Sequence, residues 1–473
     1  MQSKIMNNPK VVDLEKVVIK FAGDSGDGMQ LTGNQFTDTS ALLGNDLATF
    51  PDYPAEIRAP QGTVAGVSGF QIHIGSIDIN TPGDIADVLV AMNPAALKAN
   101  KNFIKKGGSI IINIDSFNQR DFEKAGYKQS PLEDNSFEGY NLIEAPITKL
   151  TRETLKDSKL DGKSIGRAKN MFALGIVYWM FNRPMQQTES FLKTKFKKSP
   201  DLVEANIKVM HAGYNFADTI EALSSSYTVL SAKLPKGTYR NVMGNQAMSW
   251  GFLAAAENAK KELFLGSYPI TPASDILHEL AKHKNLGVKT FQAEDEIAGV
   301  CSAIGASFCG SLAITTTSGP GLALKGEGIG LAIMTELPLV VVDVQRGGPS
   351  TGLPTKTEQS DLMQALYGRN GESPAVVLAS STPANCFDWA YQASKITLEH
   401  NTPVILLSDG YLGNGAEPWK IKSTNDMPKI NPNVAREGDD YLPYARDKKM
   451  LSRKIAIPGT KGLEHRLGGL EKE

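Results

Sequence analysis

Two hydrophobic periods alternate along this chain, and the alternation predicts its fold. Residues 16–22, 87–92 and 109–114 are short Val- and Ile-rich runs, as expected of strands covered on both faces of a sheet. Residues 70–77 alternate apolar and polar side chains and read as a half-exposed strand. Residues 28–43 carry the helical period. Residues 165–181 are apolar around most of a helix until Asn182-Arg183-Pro184 stops it, so that helix is expected inside its domain.

A polar, breaker-rich stretch follows at residues 224–238, with a brief strand allowed at 227–230. From Met243 onward strands are expected at 263–265, 288–292, 313–317, 339–344, 375–378 and 404–407. Helices lie between them at 274–283, 295–308, 322–335, 357–367 and 384–399. Strands joined through helices form parallel sheets. After Asp409 the sequence turns rich in Pro, Asn and Asp through Tyr444, then polar to Glu473. The expected fold class is therefore α/β with two parallel-sheet domains: a first domain at 1–223, a linker at 224–239, a second domain at 240–415 and an extended tail at 416–473.

With 473 residues, 41% of them hydrophobic, the chain can bury two or three cores. Fifty Lys and Arg against 51 Asp and Glu leave a formal charge of -1, so no global field favours nucleic acid or an anionic membrane surface. No apolar run approaches the roughly 20 residues of a membrane span. Residues 1–10 lack the apolar centre of a leader, and the expected location is the cytoplasm. Cys301, Cys309 and Cys386 are too scattered for a disulfide framework or for iron–sulfur ligation. A redox centre would come from another chain.

Four polar or glycine-rich segments each end a strand-like run: Gly266-Ser267-Tyr268-Pro269-Ile270-Thr271-Pro272, Gln292-Ala293-Glu294-Asp295-Glu296, Thr315-Thr316-Thr317-Ser318-Gly319-Pro320-Gly321 and Asp343-Val344-Gln345-Arg346-Gly347-Gly348. Spaced one βα unit apart, they would line the carboxyl edge of the second sheet, where open α/β sheets bind ligands.

In this order, and with Arg346-Gly347-Gly348-Pro349-Ser350-Thr351-Gly352, the segments resemble the α subunits of the 2-oxoacid:ferredoxin oxidoreductases. The N-terminal region resembles the γ subunit of the same family, fused ahead. Ala55-Glu56-Ile57-Arg58-Ala59-Pro60 and Leu353-Pro354-Thr355-Lys356-Thr357-Glu358-Gln359 are similar to the 2-oxoglutarate branch. The resemblance implies a γ-type first domain, a second domain of the thiamine-diphosphate pyrimidine-binding type, and conversion of 2-oxoglutarate and coenzyme A to succinyl-CoA, CO2 and reduced ferredoxin. It also implies thiamine diphosphate and Mg2+ shared with a β subunit that carries a 4Fe-4S cluster, a dimer of such heterodimers, ferredoxin as acceptor, and neither nucleic acid nor membrane as partner. The tail would lead to a further domain that is absent here.

Site residues follow from the same resemblance. Thiamine diphosphate loses its thiazolium proton through its own aminopyrimidine when a carboxyl group hydrogen-bonds the ring nitrogen, a task for one buried carboxylate. Glu296 is expected to be that catalytic group, with Ala298 and Gly299 leaving room for a flat ring and Glu294 or Asp295 capping the helix. Taken alone, the same acids would only complement a helix dipole. Tyr268, Pro269, Ile270, Ser318 and Gly319 are the further expected cofactor contacts. Thr271, held in a proline-bounded turn, would hydrogen-bond the oxoacid. Arg346 would pair with its carboxylate, and Lys356 is the candidate for a second carboxylate. A structural turn, a solvated arginine and a surface loop are the plain alternatives for these positions.

Gly23-Asp24-Ser25-Gly26-Asp27-Gly28 has neither the dinucleotide spacing nor the Asn-Asn pair of a thiamine-diphosphate magnesium motif. It is expected to face a partner or coenzyme A phosphates from a helix N-terminus. His278 and His283 are five apart, not the four of a zinc protease, and are expected at the surface. The rival functions are the same machinery acting on pyruvate or another 2-oxoacid and, from another class, a non-catalytic assembly or nucleotide-binding subunit. A freestanding nicotinamide dehydrogenase is disfavoured by the glycine spacing.

Overall fold

The computed structural model describes residues 10–55, 59–220 and 225–466. Glu56, Ile57 and Arg58 of the 2-oxoglutarate-like segment and Ser224 of the expected linker lie outside the described residues, as do the start at 1–9 and the end at 467–473. The chain divides into two compact units, Met1–Asn241 and Val242–Glu473.

The first unit is built on six strands: β1 (Lys16–Asp24), β2 (Asp46–Asp52), β3 (Val67–Gly75), β4 (Ala86–Ala91), β5 (Ile104–Asn113) and β6 (Asn141–Ala145), in the spatial order β2-β3-β1-β4-β5-β6. β1, β4, β5 and β6 are parallel, whereas β3 runs antiparallel to both β1 and β2. Phe70, Ile72 and Ile74 on β3 are buried. This strand is not half-exposed as its alternation suggested, because β1 and β2 flank it and helix α1 (Met29–Leu42) lies across one face. Gly33 permits that contact, since a Cβ there would fall 2.0 Å from the Phe70 ring.

Helix α2 (Lys169–Met180) is buried at every position from Asn170 to Met180, as its all-round apolar sequence required. It packs on α3 (Pro200–Thr219) through two glycines. A Cβ on Gly175 would sit 2.1 Å from the Met210 carbonyl oxygen, and one on Gly213 would sit 2.0 Å from that of Phe172. The two backbones therefore touch.

The second unit carries β7 (Leu263–Ser267), β8 (Lys289–Gln292), β9 (Leu312–Thr317), β10 (Leu339–Gln345), β11 (Val376–Ala379) and β12 (Pro403–Asp409), ordered β8-β7-β9-β10-β12-β11. Every pairing is parallel. Helices α4 (Gly244–Ala259), α5 (Ser274–Leu280), α6 (Glu296–Phe308), α7 (Gly319–Leu324), α8 (Gly326–Met334), α9 (Leu362–Tyr367) and α10 (Cys386–His400) make the connections. One expected helix, 322–335, is instead α7 and α8, divided at Lys325 and begun three residues earlier at Gly319. Another, 357–367, shortens to α9, because the Asp361 N–H is drawn to Gln345 Oε1 at 2.9 Å and the residues before it are held in a loop.

Residues 416–466 lie against this second unit. Trp419 and Ile430 join the core on one face of the sheet and Ile455 the core on the other. Arg453, 2% exposed, anchors the segment through Glu336 at 2.6 Å and the Thr335 carbonyl at 2.8 Å.

The glycine contact between α2 and α3 makes a quantitative prediction. Gly175→Ala or Gly213→Ala gains helix propensity, yet it drives a methyl into backbone that no rotamer change can clear. Each is expected to lose about 1–3 kcal/mol of stability. Denaturant unfolding of the single variants measures this, and an unchanged or raised midpoint would contradict the packing.

Candidate active site

The strand order sets β8, β7, β9 and β10 side by side, so the four segments singled out above leave one stretch of the carboxyl edge. Chain order departs from β7 in both directions there, a switch point of the kind that opens a ligand crevice. Ser267 ties two of the strand ends together, its Oγ lying 2.9 Å from the Thr316 carbonyl and 2.7 Å from Thr316 Oγ1.

Asp295 is the cap of α6, its Oδ1 accepting the Ala298 N–H at 2.7 Å, while Glu294 is exposed. Glu296 is then the first helical residue, 8% exposed. Its carboxylate makes no hydrogen bond or ion pair among the described residues. Gly321 makes room for it: a Cβ there would lie 2.7 Å from Glu296 Cγ, 3.2 Å from Oε1 and 2.0 Å from Thr317 Oγ1. Gly299, expected to admit a flat ring, instead packs on the end of β7, its missing Cβ 3.4 Å from Ser267 Cα and 3.5 Å from Lys325 Nζ. The glycine that serves the carboxylate belongs to the Ser-Gly-Pro-Gly segment, not to the helix of Glu296.

Arg346 and Thr271 meet directly. Arg346 is 7% exposed and donates from Nη1 to the Thr271 carbonyl at 2.7 Å and from Nη2 to the Thr351 carbonyl at 2.8 Å. Its Nε is buried without a partner. Burial lowers the guanidinium pKa, and the negative charge of Glu296 opposes that shift. Tyr268 and the Thr271 side chain are exposed, and Pro269 and Ile270 are half-buried beside them.

The loop after Arg346 is closed by its own groups. Gly347 donates to the Lys356 carbonyl and Leu353 to the Gly347 carbonyl, each at 2.8 Å, and Gly348 donates to Glu358 Oε2 at 2.7 Å. An anion finds fewer free N–H groups here than the run of small residues suggested. Lys356 is half-buried in this loop. Ser318 is fully buried with Oγ unpartnered, and Gly319 opens α7.

Two buried groups escaped sequence reasoning. Asp343 is completely buried on β10 beside Asp361, and neither oxygen of Asp343 has a hydrogen-bond donor. Burial, then the charge of Asp361, holds its pKa well above the usual carboxylate range, and burial also raises Asp361. Of the two, Asp343 is the one held more strongly toward its neutral form, because it is the more deeply buried. Asp361 also lies against the first turn of α7, where a Cβ on Gly319 would be 2.7 Å from Oδ2. The second group is Lys325, with no exposed surface, whose Nζ donates to the Glu296 carbonyl at 2.8 Å. Each left a trace in the sequence: an aspartate inside a Val-rich run and a lysine inside an apolar one.

In the first unit, the Gly23–Gly28 loop spends its polar groups on itself. Asp24 accepts the Gly62 N–H at 3.0 Å, Asp27 accepts the Asp24 N–H at 3.1 Å, and Asp27 pairs with Lys169 at 3.0 Å. Two carboxylates beside the N-terminus of α1 oppose a phosphate there. His278 is exposed and His283 contacts Glu279 at 3.4 Å. Among the described residues no group of three or more His, Cys, Asp or Glu side chains is placed to hold a metal, and no helix is long and apolar enough to cross a membrane.

Comparison with known proteins bears on this edge. Residues 255–473 match the family model for pyruvate flavodoxin/ferredoxin oxidoreductase, thiamine diphosphate-binding, and residues 18–216 match that for pyruvate ferredoxin/flavodoxin oxidoreductase. The chain is 57% identical over 461 residues to the 2-oxoglutarate oxidoreductase subunit KorA of Mycobacterium tuberculosis, covering 97% of this chain and 70% of that protein. It is 44% identical over 177 residues to the 2-oxoglutarate synthase subunit KorA of Archaeoglobus fulgidus, covering 37% of this chain and half of that one. A solved 2-oxoglutarate:ferredoxin oxidoreductase from Magnetococcus marinus, with 2-oxoglutarate, coenzyme A and succinyl-CoA bound, aligns over 96% of this chain and 73% of its own at 32% identity and a TM-score of 0.81.

The carboxylate pair predicts a pH effect of definite sign. Asp343 binds a proton in the folded chain at pH values where an unfolded aspartate has released it. Its contribution is therefore fully present below the ordinary aspartate range and is lost as pH rises toward the raised folded value. Asp343→Asn removes that dependence. The melting temperature of the variant relative to the parent is expected to climb as pH rises above the ordinary aspartate range. A difference independent of pH would show that the pair holds no extra proton.

Proposed function

This chain belongs to the 2-oxoacid:ferredoxin oxidoreductase family, and on that premise we propose that it is the α subunit, with a γ-type domain fused ahead, of an enzyme acting on 2-oxoglutarate. The reaction consumes 2-oxoglutarate, coenzyme A and two oxidised ferredoxins and yields succinyl-CoA, CO2, two reduced ferredoxins and a proton. The observation that carries the reading is the buried Glu296 carboxylate, free of partners on the same edge as Arg346, in a chain 57% identical to a 2-oxoglutarate oxidoreductase subunit.

The residues fit thiamine diphosphate. A carboxylate withdrawn from water and left without a donor is costly unless a donor arrives, and a pyrimidine ring nitrogen carrying a proton is such a donor. When bound, thiamine diphosphate supplies a nucleophilic carbon and an electron sink for decarboxylation. Glu296 would hold the proton at the ring nitrogen, and Ser318, Gly319, Tyr268, Pro269 and Ile270 would be the further contacts. Arg346 retains guanidinium N–H groups for the carboxylate next to the oxo group, and the exposed Thr271 hydroxyl can reach the oxo oxygen. Lys356, half-buried in the following loop, would answer the second carboxylate.

The cofactor's diphosphate, the Mg2+ and the 4Fe-4S cluster are assigned to a β subunit, and two such heterodimers would form the complex. Coenzyme A and ferredoxin are intracellular carriers, which is the reason to place it in the cytoplasm.

The test is coenzyme A-dependent viologen reduction by the complex purified through this subunit, with 2-oxoglutarate and pyruvate compared. Turnover confined to 2-oxoglutarate is expected; turnover on pyruvate would overturn the substrate assignment. Glu296→Gln should lower turnover roughly 10²-fold or more while the complex still assembles. Lys356→Ala should cut preference for dicarboxylic over monocarboxylic oxoacids by about tenfold, the value of one charge-assisted contact. An unchanged preference would place the second carboxylate elsewhere.

A further inference from the structure

Lys325 has no place in the reading above, and its setting is unusual for a lysine. It closes α7 and precedes α8, its backbone N–H bonded to the Gly321 carbonyl at 3.0 Å. The side chain turns inward, fully buried, and makes one hydrogen bond among the described residues, to the carbonyl of Glu296 at 2.8 Å. On its other side lies Gly299, whose missing Cβ would be 3.5 Å from Nζ, and the end of β7 is immediately beyond. One ammonium thus bridges the Ser-Gly-Pro-Gly helix, the first turn of α6 and the strand end before Tyr268.

A lysine used only for packing would be expected to reach water with its head group. Here the whole side chain, head included, is buried, and the head rests under the first turn of α6, against the backbone of Glu296. We propose that Lys325 is a positioning residue for Glu296, fixing the first turn of α6 through the carbonyl bond and placing a positive charge beneath it. This rests on the assignment of Glu296 above. Burial lowers the Lys325 pKa to about 8, and the carboxylates that face it with opposing charge are Glu296 on α6 and its cap Asp295, with the Cys301 side chain nearby on the same helix. The ammonium is therefore a charge that alkaline solution can remove, whereas Arg346, which also faces Glu296, keeps its own.

The experiment uses the assembled complex carrying Lys325→Met, Lys325→Gln and Lys325→Arg, with thiamine diphosphate binding measured by calorimetry beside the pH profile of turnover. Lys325→Met is expected to weaken thiamine diphosphate binding roughly tenfold or more, to shift the acid limb of the profile to higher pH and to abolish any fall in turnover near pH 8. Lys325→Arg should restore the acid limb. Lys325→Gln keeps a donor without charge and should shift that limb even if Lys325→Met fails to assemble. A profile superimposable on that of the parent, with unchanged binding, would overturn the proposal. Glu296→Gln run in parallel separates the two readings: full activity there removes the role of Glu296 itself, whereas an inactive Glu296→Gln with normal Lys325 variants removes only that of Lys325.

Discussion

A buried carboxylate with no hydrogen-bond donor is the constraint around which the second unit is arranged. Drawing Glu296 down to 8% exposure is unfavourable unless neighbouring groups offset it. The offsets are all local: Asp295 takes the capping role, so Glu296 can turn inward from the first helical position. Gly321 gives up its Cβ so that the side chain can lie across α7. Lys325 places a positive charge beneath the helix turn. None of these donates to the carboxylate itself, which leaves it ready for an external donor.

The second constraint is the coupling of two loops through one guanidinium. Arg346 holds the Thr271 carbonyl and the Thr351 carbonyl at once, so the proline-bounded turn after β7 and the glycine loop after β10 move as a unit. Each oxoacid contact proposed here depends on that clamp. An arginine suits it because a planar fork can satisfy two fixed acceptors and still present N–H groups to a third. The loop's backbone is closed by Lys356, Leu353 and Glu358, so selectivity for the substrate's far end must come from side chains at its surface rather than from an N–H cradle.

Much of this was legible in the sequence because period and punctuation are local. The six strands of the second sheet follow from Val- and Ile-rich runs between helical stretches, and the four motif segments had to share an edge once the connections were parallel. The first sheet was read less well. The antiparallel placement of β3 depends on contacts with β1 and β2 that no local period encodes, and its alternation was mistaken for exposure. Within the site, Glu296, Thr271 and Arg346 stood out as motif residues. Lys325 and Asp343 did not, since a buried charge looks like a surface charge until its neighbours are placed. Gly299, expected to leave room for a flat ring, packs on the end of β7, and the room for the Glu296 side chain comes from Gly321, because which face a helical glycine presents is a tertiary fact.

The chemistry on this edge also argues that a second chain must complete it. A diphosphate needs several donors and a cation. Around Glu296 the fully buried charged groups among the described residues include one lysine already committed to a carbonyl and Asp343, whose carboxyl is held toward its neutral form by burial. The glycine-rich loop of the first unit offers no substitute, because it carries Asp24 and Asp27, and Asp27 already takes the Asp24 N–H. An edge able to receive the proton-bearing end of a cofactor, yet unsuited to its charged end, makes sense when the charged end is held by another subunit.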